Sequence, residues 1–226
     1  MRLRIQIKHF LLILFLVSAV CGCAKKETAA DKIDLVEVVK LDSTIVIDIR
    51  YATTNNFMGE KLYPIARCFL RRAVAERLTR VQKSLREQGL GLKIWDGYRP
   101  RSVQWEMWEK VSDPKYVADP RKGSKHNRGC AVDVTLVDAE GNELEMPTGY
   151  DDFTEKAHRD YMQLPPEVIK NRQILEIAMA NEGFIPLPSE WWHFDDPNWE
   201  KYDLLDIPFE NVYHQLAPSK KSAPIK

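Results

Sequence analysis

The stretch GSKHNRGCAVDVTL, residues 123–136, constrains the fold of this chain more than any other. From Cys130 to Leu136 the side chains alternate, so that Cys130, Val132, Val134 and Leu136 share one face of a strand while Ala131, Asp133 and Thr135 share the other. The first face is suited to packing on helices. The second is small and polar, and leaves room beside Asp133 for an ion or ligand. His126 stands seven residues before Asp133, an odd spacing that on one straight strand would turn it to the opposite face. Gly129 lies between them, and a glycine lets the backbone turn sharply enough to fold His126 back above Asp133. An imidazole nitrogen and a carboxylate oxygen meeting over a polar strand face suit zinc.

Catalytic zinc takes three protein ligands and keeps a fourth position for water. Of the five histidines, His9 falls in an apolar leader, so His158, His193 and His214 are the candidates for the third ligand. His193 stands in SEWWHF, three residues after Glu190. A straight strand would oppose that pair, whereas a tight turn or a strand end brings it together. Pro186 and Pro188 argue against regular central pairing just upstream. Glu190 beside a ligand histidine would supply the base that takes a proton from an attacking water. Trp191 and Trp192 would lower the local dielectric and raise its pKa. Taken alone, EWWH reads more readily as a core aromatic cluster with an incidental ion pair.

Around these motifs, Ile45, Ile47, Ile49 and Tyr51 alternate as in a half-buried strand. Leu70, Val74, Leu78, Val81 and Leu85 form one apolar stripe of a helix over Cys68–Gln88, stopped by Gly89. GLKIWDG follows as a strand ending in a turn at Asp96–Gly97. A helix opens at Pro100 with Val103, Trp108 and Val111 as inward positions. Residues 112–125 read as a surface loop of the kind that covers a site. CAVDVTLVDAEGNELEM reads as strand, turn at Gly141–Asn142, and strand. A last helix presents Val168, Leu175 and Ala178 and closes at Gly183. Strands and helices come in mixed order, so the expected class is α+β: a single domain with an antiparallel sheet and helices packed against it.

That domain is expected over residues 34–216. MRLRIQIKHF gives a basic start and LLILFLVSAV an apolar run too short to span a bilayer comfortably, so residues 1–22 read as an export signal. VCGC resembles a bacterial lipoprotein processing site, with Gly22 just before Cys23 and Val20 three before it. Cys23 would then carry the lipid that anchors the chain to the cell envelope, several acyl chains on one residue sufficing for stable attachment. An ordinary secretory signal is the alternative. Polar residues 23–33 read as a tether and 217–226 as a disordered tail. Residues 1–22 hold three bases and no acid, leaving 30 bases against 33 acids. This near-neutral balance argues against nucleic acid and against a polybasic membrane contact. Outside the leader only Cys68 and Cys130 remain. In an oxidising compartment they either pair, closing a loop worth roughly 4 kcal/mol by chain entropy, or stay as buried thiols.

Three motifs in order, WDGYRP, SKHNRGCAVD and EWWH, resemble those of the VanX-type D-alanyl-D-alanine dipeptidases. These are zinc peptidases related to D,D-carboxypeptidases and to the hedgehog signalling domain fold. The likeness runs from IVIDIRYATTNNFMG to WWHF. It implies one zinc ion on His126, Asp133 and His193, with Glu190 as general base and Arg99 as the cation that meets the oxyanion. An Arg99–Asp96 pair that merely fastens the turn is the alternative reading of DGYRP. The resemblance also places Tyr51, Ser124 and Asp152 where the substrate's amino end is held. It implies a small D,D-dipeptide as substrate. A D,D-carboxypeptidase or endopeptidase on longer wall peptides, or a non-catalytic zinc- or peptide-binding lipoprotein, are the other readings. The dipeptidases that define the family act in the cytoplasm, whereas the leader here points to the envelope and to peptides released in wall turnover.

Overall fold

The computed structural model describes residues 33–216. The expected leader, Cys23, the tether up to residue 32 and the tail over 217–226 lie outside the described residues. In chain order the elements are β1 (Leu35–Glu37), β2 (Val46–Ile47), β3 (Phe69–Arg71), α1 (Arg72–Arg86), β4 (Gly91–Asp96), α2 (Arg101–Lys110), β5 (Ala131–Val137), α3 (Pro166–Asn181), β6 (Ile185–Pro186), β7 (His193–Asp195) and α4 (Phe209–Leu216). Five strands pair in the order β2-β4-β5-β7-β6, and β1 pairs with β3 in a separate two-stranded sheet. The α+β class holds. The sheet is antiparallel from β4 to β6, but β2 joins β4 in parallel, with Val46 opposite Lys93 and Ile47 opposite Ile94. The purely antiparallel expectation is corrected there. The long return through α1 supplies the crossover that a parallel pair needs.

The alternation in β5 sorts as its pattern requires. Val132, Val134 and Leu136 join the apolar core with Leu92 and Ile94 of β4, Val74, Leu78, Val81 and Leu85 of α1, and Leu175 and Met179 of α3. Burial of each such side chain contributes about 1.5–3 kcal/mol. Helix α1 packs on β4 and α3, and α3 reaches β5. Asp133 is left on the other face of the strand. β7, with Asp133 opposite His193, is therefore registered beside it by the same ladder that builds the core.

Several local expectations are corrected. The helix begins at Arg72 rather than Cys68, because Phe69–Arg71 is drawn into pairing with β1, Leu70 lying opposite Val36. The backbone there has partners a helix could not give it: Arg71 N–H bonds to the Gly129 carbonyl and the Phe69 carbonyl accepts from Tyr98. Of the alternating run at 45–51 only Val46–Ile47 is paired. Ile45, Ile49 and Tyr51 are buried as expected, but the chain turns at Arg50–Ala52. In α2 the buried positions are Val103, Gln104 and Met107, with Trp108 and Val111 only partly covered. After the turn at Gly141 a single bridge, Val137 to Glu143, stands where a strand was expected.

Cys68 and Cys130 are free and buried. The Cys68 sulfur lies against Gly97, where a β-carbon would come within 2.6 Å of it. The Cys130 thiol faces the Arg128 carbonyl at 3.5 Å. Burial pushes Cys130 up to about 12 and Cys68 well above its usual range. Among the described residues no helix is long and apolar enough to cross a membrane.

Candidate metal centre and active site

His126 opens a short 3-10 turn, His126–Arg128, that ends at Gly129 with φ 68°. That left-handed conformation suits glycine. The space requires it too, since a β-carbon there would meet Leu35 Cδ2 at 2.7 Å and the Arg71 nitrogen at 3.2 Å. The turn swings His126 over Asp133, bringing its Nε2 to 3.5 Å from Asp133 Oδ2. His193 enters from β7, its Nδ1 at 2.9 Å from Asp133 Oδ1 and 3.3 Å from His126 Nε2. The three residues are buried, and their ligand atoms lie within 4.8 Å of one another.

The outward nitrogens of both rings are already engaged. His126 Nδ1 donates to the Gly97 carbonyl at 2.8 Å and His193 Nε2 to Asp195 Oδ1 at 2.9 Å. Once an ion displaces any proton on the inner nitrogens, each ring would turn a lone pair toward the other ring and toward the carboxylate. Three acceptors facing one another in a buried place fit a cation between them. Tetrahedral zinc with bonds of about 2.0–2.1 Å sets its nitrogen ligands roughly 3.3 Å apart, against the 3.3 Å between the two imidazoles here. Charge concentration shows in the acid–base behaviour. Burial alone would raise Asp133, but His126 and His193 override it and hold the carboxyl well below the usual range. Burial alone would lower His193, yet Asp133 and Asp195 on its two sides raise it to about 10.

Glu190 stands one turn before His193, whose backbone N–H reaches the Glu190 carbonyl at 3.4 Å. This turn resolves the odd spacing, placing Glu190 Oε2 3.9 Å from His193 Nδ1. Burial raises the Glu190 pKa, Asp133 adds to the rise, and His193 opposes it. Trp191 and Trp192 are buried beside it. β6, with Pro186, lies at the sheet edge, where proline is tolerated.

A cavity of about 1020 Å³ opens over this cluster. His126, Asp133, His193 and Glu190 line it together with Tyr51, Arg99, Ser124, Asp151 and residues 114–118 of the expected covering loop. Arg99 has both features weighed from sequence, for it lines the cavity and also clasps Asp96. Its Nη2 and Nε reach Asp96 Oδ2 at 2.7 and 3.2 Å, and Nη1 donates to Gln104 at 2.8 Å. One N–H on each terminal nitrogen is left over. Ser124 Oγ accepts from the His126 N–H at 3.2 Å, so it supports the turn that carries His126.

Asp152 is not where the resemblance put it. It is absent from the cavity wall, and its carboxylate accepts from the Thr154 N–H at 2.9 Å. The neighbouring Asp151 lines the cavity instead, at φ 60°, accepting the Tyr51 hydroxyl at 3.1 Å and the Phe57 N–H at 3.2 Å. Burial, with Asp133 adding to it, pushes the Asp151 carboxyl up to about 7. Tyr150, also not singled out from sequence, donates its hydroxyl to Asp133 Oδ2 at 2.8 Å. The run TGYDD offers no period that would say which aspartate faces inward. His158 also lines the cavity but is not part of the three-residue cluster.

Two histidines and an aspartate gathered beside a buried glutamate, all lining one cavity of an α+β domain, are a site suited to a metallopeptidase. The chain belongs to the peptidase M15 family, described as D-Ala-D-Ala dipeptidase, which it matches over residues 31–214. It is 37% identical over 176 residues to the D-alanyl-D-alanine dipeptidase of Escherichia coli K12, covering 78% of this chain and 91% of that protein. Similar proteins of the same name are found in Streptomyces coelicolor (31% identity, 77% and 98% covered) and Enterococcus faecalis V583 (30%, 76% and 92%).

Proposed function

We propose that this protein is a zinc-dependent dipeptidase that hydrolyses D-Ala-D-Ala. The convergence of His126, Asp133 and His193 with Glu190 alongside carries this reading. His126, Asp133 and His193 would hold the ion, which as a Lewis acid acidifies water and polarises a carbonyl. Glu190 takes the proton of the attacking water and passes it to the leaving amine. Its raised pKa brings the carboxylate closer to neutral pH, where a base that must later act as an acid works best. Arg99, fixed by Asp96 and Gln104, turns its remaining N–H groups to the charge that grows on the carbonyl oxygen. Asp151 holds the substrate's ammonium, whose charge returns the carboxyl to its ionised form. Tyr51 and Ser124 position Asp151 and His126 respectively.

The test is hydrolysis of D-Ala-D-Ala with and without a chelator. Turnover that stops with the chelator and returns with zinc supports the reading; no hydrolysis of any D-amino-acid peptide by the zinc-loaded protein refutes it in favour of a binding lipoprotein. The cavity, at the upper end of the size common for small-molecule sites, favours a second reading in which longer D-Ala-terminated peptides enter. A wall pentapeptide assayed beside the free dipeptide separates the two. The basic, apolar leader and VCGC support an exported protein anchored by lipid on Cys23 and working on peptides from wall turnover. Metabolic labelling with a fatty acid, lost in Cys23→Ala, tests that part.

A further inference from the structure

We propose that Asp195, held in place by Lys125, is the positioning residue that fixes the tautomer and bearing of His193 as a metal ligand. The inference rests on reading His126, Asp133 and His193 as zinc ligands. His193 Nδ1 faces the cluster, and its Nε2 lies 2.9 Å from Asp195 Oδ1. A neutral imidazole carries a single N–H, and a carboxylate offers only acceptors. With the proton on Nε2, that contact is a hydrogen bond and Nδ1 keeps a lone pair for the ion. The opposite tautomer sets a lone pair against a buried carboxylate oxygen and points an N–H at the metal position. Nδ1 lies equally close to a second carboxylate, Asp133 Oδ1 at 2.9 Å, so the two compete for the ring proton; an ion held between Nδ1 and Asp133 would leave Asp195 as the acceptor that keeps the proton on Nε2.

The carboxylate cannot easily swing away. It is 3% exposed, and its second oxygen takes the Lys125 ammonium at 2.6 Å. The ammonium in turn lies 5.4 Å from the centroid of the Trp199 ring. The strand sets the alignment: residues 193 and 195 are two apart in β7 and share a face, with Asp133 and Ala131 registered opposite them. Lys125 directly precedes His126, so the turn that delivers one ligand also clamps the carboxylate behind the other. The two histidines differ in this respect. His126 leans on a neutral carbonyl, that of Gly97, whereas His193 leans on a charged group that makes it the more basic ligand.

Zinc affinity, measured by competition with a chromophoric chelator, tests this on the whole protein and on Asp195→Ala, Asp195→Asn and His126→Ala. Asp195→Ala is expected to weaken zinc binding about 10- to 100-fold. Asp195→Asn, isosteric, keeps one acceptor for Nε2–H but turns an NH2 toward Lys125, so it is expected to weaken binding several-fold, by less than Asp195→Ala. Wild-type affinity in Asp195→Ala overturns the proposal, and so does a loss in Asp195→Asn as large as in Asp195→Ala. Should Asp195→Ala fail to fold, Asp195→Asn alone decides: a several-fold weakening supports the proposal and unchanged affinity overturns it. His126→Ala separates the two layers of the reading. If it leaves zinc binding intact, the ligand assignment itself falls and this proposal with it. If it abolishes binding while Asp195→Ala does not weaken it, only the role of Asp195 falls.

Discussion

Replacing Asp151 by asparagine should make the protein more stable near neutral pH while impairing its use of substrate. The residue sits at φ 60°, a left-handed conformation that asparagine tolerates as well as aspartate. Asparagine also keeps both contacts: its carbonyl can accept the Phe57 N–H, and its amide can donate to the Tyr51 hydroxyl, which now accepts. What changes is the charge. Burial, and then Asp133, raise the Asp151 carboxyl from an ordinary 3.8 to about 7, while Phe57, Tyr51 and Arg99 pull it down without prevailing. Between those two values the folded chain holds a proton that the unfolded chain has released. Stability therefore falls as pH rises from about 4 through about 7, and is level above that. At 1.36 kcal/mol per pKa unit, a gap of about 3 amounts to at most about 4 kcal/mol.

Asparagine has no such term. The difference in unfolding free energy between Asp151→Asn and the wild type should be small near pH 4 and grow to roughly 2–4 kcal/mol in favour of the variant by pH 8. Urea titrations of both proteins at several pH values, with chelator present, measure it directly. Contributions from groups that do not interact with Asp151 cancel in the difference. Parallel stability–pH curves for the two proteins would refute the argument, because they would mean that Asp151 ionises in the fold as it does in the open chain. The same variant should lose kcat/KM toward D-Ala-D-Ala, since the group that costs stability is the one assigned to the ammonium.

Other substitutions test other parts of the site. Glu190→Ala should bind zinc as the wild type does and lose about 10²- to 10⁴-fold in kcat; equal turnover removes Glu190 as the base. Arg99→Lys cannot reproduce the contacts to Asp96 and Gln104 together with a forked face toward the cavity, and should lower kcat about 10²- to 10³-fold at unchanged zinc content. A near-normal kcat would leave Arg99 only the task of fastening its turn. Gly129→Ala meets both a left-handed φ and a 2.7 Å clash with Leu35, so a destabilisation of roughly 2–4 kcal/mol and weaker zinc binding are expected. Unchanged denaturation and zinc competition would show that the turn relaxes freely.

Legibility in the sequence followed the physics of each part. The cluster of His126 and Asp133 could be found because β5 alternates without interruption, so Asp133 had only one face to take, and because Gly129 marks the place where the chain must turn left-handed to bring His126 back. The helical stripe from Val74 to Leu85 was legible for the same reason of period, yet its start was not. Leu70 fits a stripe and a strand equally, and pairing with Val36 across 34 residues of chain decided the matter. Long-range pairing leaves no mark in a local pattern, which is also why the parallel contact of β2 with β4 went unseen. Asp151 was missed in favour of Asp152 because adjacent residues in an irregular loop face apart by a choice of φ that side-chain type does not announce. Asp195 was missed because its place depends on register, on standing two positions after His193 in a strand whose partner is β5. What a sequence shows of such a site is thus the residues that a clean period or a marked turn picks out, Asp133 and His126 here. Asp151 and Asp195 owe their places to loop geometry and register, and they become visible only when the chain has been folded around them.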